Sequence, residues 1–491
     1  MLKLSPAIKN YAWGVVGTDS KVALLSKGVI EQKPYAEMWL GTHKDGCATV
    51  HLNDAGDKID LINFLKENPT WNKVSGSQEL TGQLPFLLKV LSVAQPLSIQ
   101  AHPNKQLAVK LHKEQPQHFP DDNHKPELTF ALTPFSALAG LEINSIAIER
   151  LSSFESLSEL MKTIGFCSED ILAKGGDEYS LSREACRMLT ASSDEIKAKF
   201  VVSMKQLVDK AQQILVEAKD KTTISPNVTM SLQLFVSLCS ATSSPTDTGP
   251  VLAAFFLCHR KLSPCDAIFL SANVPHAYLS GDCVEIMATS DNVVRAGLTP
   301  KHCDPVILSS MLDDCGVEQM KMIPQLPTSS PDGSVTTFFI PSISDFCLQR
   351  ACVSASNTSS SPVIIPMMNV PRILLVLGRP CMIEAVHVSK SSKSQETSHD
   401  EEIKQEHTKK EDEKEKENPR KFNPLMKLFA EEGTALLIQP GTQLILSVAD
   451  PSHSQMSSSS SPSSESFNPS HSQIIPSDCS MIFIASENVR A

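Results

Sequence analysis

The chain has 491 residues, 44 Lys and Arg against 55 Asp and Glu, and a formal charge of −11. That length exceeds one compact core, so two to four domains are expected, and the acidic balance excludes a general nucleic-acid binder, which needs a basic excess to neutralise phosphates. The 13 cysteines are scattered, with no Cys-x-x-Cys pair, Met1 to Pro6 lacks an apolar export signal, and no run approaches a bilayer span; reduced thiols, a cytoplasmic location and no membrane partner are expected.

In chain order, Asp57 to Lys66 places Ile59, Ile62 and Leu65 at helical spacing and stops at Asn68-Pro69. The apolar run Leu84 to Leu91 reads as a strand leading to Pro96-Leu97-Ser98-Ile99-Gln100-Ala101-His102-Pro103. At the two-residue period of a strand, Ser98, Gln100 and His102 share one face, as if the strand opened a core into a polar cavity. Asn104 caps a short predicted helix, Lys105 to Lys113, and a polar turn, Asp121 to Glu127, leads into a strand, Leu128 to Leu132.

From about Asn144 to Ala241 the texture is helical. Phe200, Met204, Leu207, Val208, Ala211, Leu215 and Ala218 form one stripe, and Leu151 to Ile164, Arg183 to Leu189 and Val228 to Leu238 also suit helices. After a linker at Ser243 to Pro250, strand texture is read in Val251 to Leu257, Ala267 to Leu270 and Cys283 to Met287, and later in Arg372 to Leu377 and Ala435 to Ile438. The expectation is a mainly β protein with an inserted α-helical domain: residues 1–145 and 250–325 as one β-domain, 146–249 as the helical domain, and 326–491 as a second, C-terminal β-domain of jelly-roll texture. The charged tract Lys390 to Lys421 and the Ser-rich Ser452 to Ser470 bury too little apolar surface to order themselves, so 388–421 and 452–472 are expected as disordered insertions.

Three groups carry candidate chemistry: Gln100-Ala101-His102, His124-Lys125-Pro126-Glu127 and Val274-Pro275-His276-Ala277-Tyr278. Gln100, His102, Glu127 and His276, brought together in a barrel, would offer two imidazoles and two side-chain oxygens, a set suited to Zn²⁺ with Mn²⁺ or Fe²⁺ as rivals. Spacing leaves the other reading open, that Gln100 and His102 are buried polar groups satisfied by backbone. His43, His51, His112, His118 and His259 read as hydrogen-bonded structural residues. Arg295, between an apolar pair and a Gly-containing turn, suits an anionic oxygen or phosphate, or else a structural carboxylate.

Tyr11-Ala12-Trp13-Gly14, Ala36 to His43, the Gln-Ala-His-Pro stretch, Asn123 to Glu127 and Asp291 to Lys301 occur in that order, and together they resemble the type I phosphomannose isomerases. The resemblance runs to about residue 310 and continues more loosely beyond. It implies a zinc enzyme of cupin architecture, with a catalytic cupin domain and a C-terminal cupin-like domain. Such an enzyme interconverts mannose 6-phosphate and fructose 6-phosphate and feeds GDP-mannose synthesis and protein glycosylation. Carried over by motif, Gln100, His102, Glu127 and His276 are the ligands of one zinc ion, and Arg295 is the catalytic arginine. Ser98, Lys125, Glu285, Lys301 and Glu37 line the same pocket. A small sugar phosphate is the implied partner, and the chain is expected to be a monomer.

Isomerisation moves a proton between adjacent carbons through an enediol, and the base is left open among Lys125, Glu285 and a metal-bound hydroxide. A neutral Gln100 keeps net positive charge at the metal. Two other readings stand beside this one. One is a metal cupin of different chemistry, such as an iron oxygenase; the other is a non-catalytic descendant that binds a sugar phosphate.

Overall fold

The computed structural model describes residues 1–26, 28, 30–73, 81–191, 193–219, 224–241, 246–315, 328–329, 334–338, 342–354, 362–387, 426–449 and 479–488. The expected insertions 388–421 and 452–472 lie outside the described residues.

The first β unit is a ten-stranded set of sheets. At its centre, Phe86–Val93 lies antiparallel between Glu37–Leu40 and the long strand His276–Ala288, which pairs in turn with Glu127–Ala131. All eight residues of Phe86–Val93 are buried, which explains why its sequence is nearly unbroken in apolar residues. One face of these strands, including Met38, Leu88, Val90, Leu128, Phe130, Val284 and Ile286, packs into a core shared with Phe346, Leu348, Ile373, Leu375 and Phe483 of the C-terminal strands. The opposite face places Trp39, Lys89, Glu285 and Thr129 in register across four strands. A buried row containing a lysine and a carboxylate is not a core face, and this row is one wall of the site.

The helices Asn144–Ser152, Glu155–Thr163, Ser168–Ala173, Ser180–Thr190, Asp194–Lys219 and Pro226–Ala241 fall between the strands Phe135–Leu141 and Leu257–Leu262. Their apolar stripes join one core with the far end of the β unit. The predicted strand at Val251 to Leu257 is instead a helix, Gly249–Phe256, with every residue buried. Buried all round, it has no polar face to give a helical period, and Gly249-Pro250 at its start is the cue that outranks the apolar run. The segment Asp57 to Lys66 likewise divides into a short strand, Lys58–Asp60, and a helix, Leu61–Glu67, because Lys58–Asp60 pairs with Thr49–His51.

The C-terminal strands form a four-stranded sheet and supply six strands of a nine-stranded one, whose other three are Leu2–Ser5, Thr49–His51 and Lys58–Asp60; they have a core of their own around Ile365, Val376, Ile383, Leu436, Leu444 and Ile482. The N-terminal strand Leu2–Ser5 runs between Ala435–Ile438 and Thr49–His51, so the first residues of the chain complete the sheet of the last. The protein is thus mainly β, with two jelly-roll units and helices inserted into the first, as the cupin expectation requires. None of its described helices is long and apolar enough to cross a membrane.

Candidate active site

A cavity of about 520 Å³ opens against the polar row, lined by Trp13, Glu37, Lys89, Ser98, Gln100, Lys125, Glu127, Tyr278, Glu285, Arg295 and Lys301 among others. The strand Ile99–Ala101 crosses it, Ile99 and Ala101 fully buried on one side and Gln100 facing the cavity on the other. Gln100 stands in register with His276 on one neighbouring strand and with Arg295 on the other, so the three form a row.

At the cavity floor, His102 Nε2 lies 3.3 Å from Glu127 Oε1 and His276 Nε2 lies 3.4 Å from Glu127 Oε2. His102, Glu127 and His276 are 1%, 3% and 1% exposed. Each imidazole donates its Nδ1–H to a backbone carbonyl, His102 to Asn292 O at 2.7 Å and His276 to Val274 O at 2.9 Å. That fixes the tautomer and leaves both Nε2 lone pairs aimed into the cluster, where neither has a hydrogen-bond donor. Two buried, unpaired imidazole nitrogens converging on one carboxylate fit a divalent cation, and the three residues stand close enough together to hold one. Burial, with the Lys125 charge adding to it, pushes the His102 imidazole down to about 4, so it is neutral, as a ligand must be.

His276 and Glu285 share one strand at an odd spacing, which in a regular pleat would send them to opposite faces. The register with Phe135–Leu141 slips by one residue between Tyr278 and Ser280, next to Gly281 at φ +109°. A Cβ at Gly281 would lie 2.6 Å from Pro134 O. This bulge returns Glu285 to the cavity, where Tyr278 Oη donates to Glu285 Oε1 at 2.7 Å while accepting from Thr129 Oγ1 at 2.5 Å. Glu285 Oε2 lies 3.2 Å from Lys89 Nζ, which is also 3.8 Å from Glu37 Oε2. Burial raises the Glu285 carboxyl. Lys89 would be lowered by burial, but Glu37, Glu285 and Glu127 reverse this and keep it charged.

Lys125 Nζ lies 3.6 Å from Glu127 Oε1, reaching the cluster from the loop before the strand. Ser98 lines the cavity wall, and Glu37 accepts from Trp39 Nε1. The guanidinium of the half-buried Arg295 has no hydrogen bond or ion pair among the described residues; with the exposed Lys301 it borders both the main cavity and a neighbouring one of about 280 Å³. Burial lowers its guanidinium.

All ten residues singled out from the sequence therefore lie in or at the floor of one cavity. Lys89, Tyr278, Trp39 and the His43–Asp291 pair were not singled out as site residues. His43 donates from Nε2 to Asp291 Oδ1 at 2.9 Å and accepts from Asp45 N at Nδ1, so neither nitrogen is free for a cation. His51, His112 and His259 are hydrogen-bonded as expected, to Ser5, Phe119 O and Ser136. The one cue for Lys89 was a lysine inside an apolar run.

Fold and floor together define a two-unit cupin-type protein with a buried His/Glu/His metal-binding constellation inside a polar cavity. Residues 1–143 match the model of the phosphomannose isomerase type I catalytic domain. Mannose-6-phosphate isomerase of Homo sapiens is 37% identical over 382 residues, covering 76% of this chain and 87% of the relative. Mannose-6-phosphate isomerase 1 of Arabidopsis thaliana is 35% identical over 399 residues, covering 76% and 83%. The chain belongs to the mannose-6-phosphate isomerase family. Among solved structures, an arginine-to-alanine variant of phosphomannose isomerase from Salmonella typhimurium covers 100% of both chains at 21% identity and a TM-score of 0.62. A zinc-bound holo mannose 6-phosphate isomerase covers 99% of both at 22% identity and a TM-score of 0.60. Both share the fold.

Proposed function

We propose that this protein interconverts mannose 6-phosphate and fructose 6-phosphate by proton transfer between C1 and C2 through an enediol, with one zinc ion held by Gln100, His102, Glu127 and His276. The observation that carries this reading is the pair of buried Nε2 atoms, without hydrogen-bond partners among the described residues, that converge on Glu127 in a cavity lined also by Arg295. Membership of the isomerase family and the zinc in a neighbour of the same fold support it. When bound, the zinc supplies positive charge that stabilises the oxygens of the substrate as they become negative. Gln100, being neutral, leaves that charge uncancelled.

Both oxygens of Glu285 are occupied, by Tyr278 and Lys89, whereas the Lys125 amine has only a 3.6 Å contact. The transferred proton is therefore assigned to Lys125, which takes it from one carbon and returns it to the next. Glu285 orients Tyr278 and Lys89 along the polar wall, and Glu37 completes the cradle of Lys89. Arg295, paired with no carboxylate among the described residues, stabilises the developing enediol charge, while Ser98 and Lys301 at the cavity edge contact the rest of the sugar phosphate. Mannose 6-phosphate formed in this way supplies GDP-mannose synthesis.

A coupled assay of fructose 6-phosphate formation from mannose 6-phosphate, on protein as purified, after chelation and after zinc return, tests the reading. Loss on chelation with recovery on zinc is expected. Full activity in protein shown by metal analysis to be empty overturns it.

A further inference from the structure

His102 presents Nε2 to the cluster only while Nδ1 keeps its proton on Asn292 O. That carbonyl sits in an irregular segment, 289–293, which lies between two strands and has no ladder of its own. A carbonyl orients a ring only as well as its own backbone is held. The side chain that grips most of it is Asp121, from the turn that leads to Lys125 and Glu127; Asn123 O adds bonds from Ser290 Oγ at 3.1 Å and Asn292 Nδ2 at 2.8 Å, and His43 and Lys44 hold the Asp291 carboxylate.

Its Oδ1 accepts from Ser290 Oγ at 2.7 Å and from Asn292 Nδ2 at 3.1 Å, and its Oδ2 accepts from Asp291 N at 2.7 Å. Its own carbonyl accepts from Asn292 Nδ2 at 2.8 Å, and Oδ1 also takes Asn123 N at 3.0 Å, which fixes the turn that carries the carboxylate. One side chain thus grips three consecutive residues of the opposite loop. Asn292 is fully buried and Ser290 nearly so, so neither can turn to water if the grip is lost.

We propose that Asp121 is a positioning residue for the metal centre: through Asn292 O it sets the tautomer and aim of His102, and so the affinity of the cluster for a divalent cation. This rests on the reading that the cluster binds zinc. Asp121 touches neither a ligand residue nor the substrate, and its effect is transmitted entirely by the loop. Loss of such an outer partner lowers metal affinity by about 10- to 100-fold.

The test is zinc affinity of the folded full-length protein by chelator competition, with the visible absorption of the Co²⁺-loaded protein as a signature of ligand geometry. Asp121→Ala is expected to weaken zinc by about 10- to 100-fold and to alter the Co²⁺ spectrum. Asp121→Asn keeps the shape but turns one acceptor into a donor facing N–H or O–H groups, so it should weaken zinc in the same direction and serves if the alanine variant does not fold. Folded Asp121 variants that bind zinc as tightly as the parent, with an unchanged Co²⁺ spectrum, overturn the proposal, even if their thermal stability falls. A parent protein that binds no zinc overturns the metal reading itself and this proposal with it.

Discussion

Lys89 and Glu285 face each other across adjacent antiparallel strands, and their side chains close to 3.2 Å inside the cavity. Both are buried, and Glu37 stands 3.8 Å from the same ammonium. Removing the lysine strands two buried carboxylates. Lys89→Met is therefore expected to cost about 3–5 kcal/mol in urea denaturation, and a further Glu285→Gln change to recover part of that loss. A cost under about 1 kcal/mol, the scale of an exposed pair, would show that the charges are already solvated through the cavity.

Lys125→Met should lower turnover by about 10²- to 10⁴-fold, the worth of a positioned base, while zinc content stays at the parent level. Steady-state kinetics beside metal analysis decides this. Near-normal turnover would move the proton transfer to another group.

Arg295→Ala should lower kcat with little change in KM, because an interaction made chiefly with the developing charge is lost. The opposite split, with KM raised and kcat kept, would assign Arg295 to the phosphate instead.

Gln100→Glu adds an anionic ligand atom without changing the size of the side chain. Zinc should be retained or bound more tightly and kcat should fall, since the added charge opposes the stabilisation of substrate oxygens. An equally active variant would mean that the neutrality of Gln100 is incidental.

His259 supplies a pH dependence away from the site. Burial, then the charges of Lys261 and Arg150, push its imidazole from 6.5 down to about 4, and its Nδ1 is buried without a partner. Between those values the unfolded chain holds a proton that the folded protein does not. The stabilisation is thus complete above 6.5 and is lost as the pH falls towards 4. His259→Leu should flatten the fall in stability between pH 7 and pH 5 by about 1 kcal/mol, given its partial exposure, as read by urea denaturation at the two pH values.

Much of the site was legible because its residues lie in short polar interruptions of strands, such as Ser98, Gln100 and His102, or in turns, such as Lys125 and Glu127. Those patterns are local. Lys89 was not legible, because its partners Glu37 and Glu285 come from two other strands and a strand buried on both faces has no alternation to read. The bulge beside Gly281 was equally hidden: without it, His276 and Glu285 would be placed on opposite faces, and only the register with Phe135–Leu141 shows the slip. The helix Gly249–Phe256 was misread for a related reason, since full burial erases the period that separates helix from strand.

The pairing of Leu2–Ser5 with Ala435–Ile438 has a consequence for biogenesis. Leu2–Ser5 is made about 430 residues before its partner strand, and at about 5–20 residues per second it waits on the order of tens of seconds. Throughout that wait, one edge of Leu2–Ser5 lacks its neighbour and is open to pairing with other nascent chains. Premature termination before Ala435 would leave that edge permanently bare while the residues of the catalytic cavity, all N-terminal to it, are already made. Aggregation of such truncated products, rather than loss of catalytic groups, is the failure this topology invites.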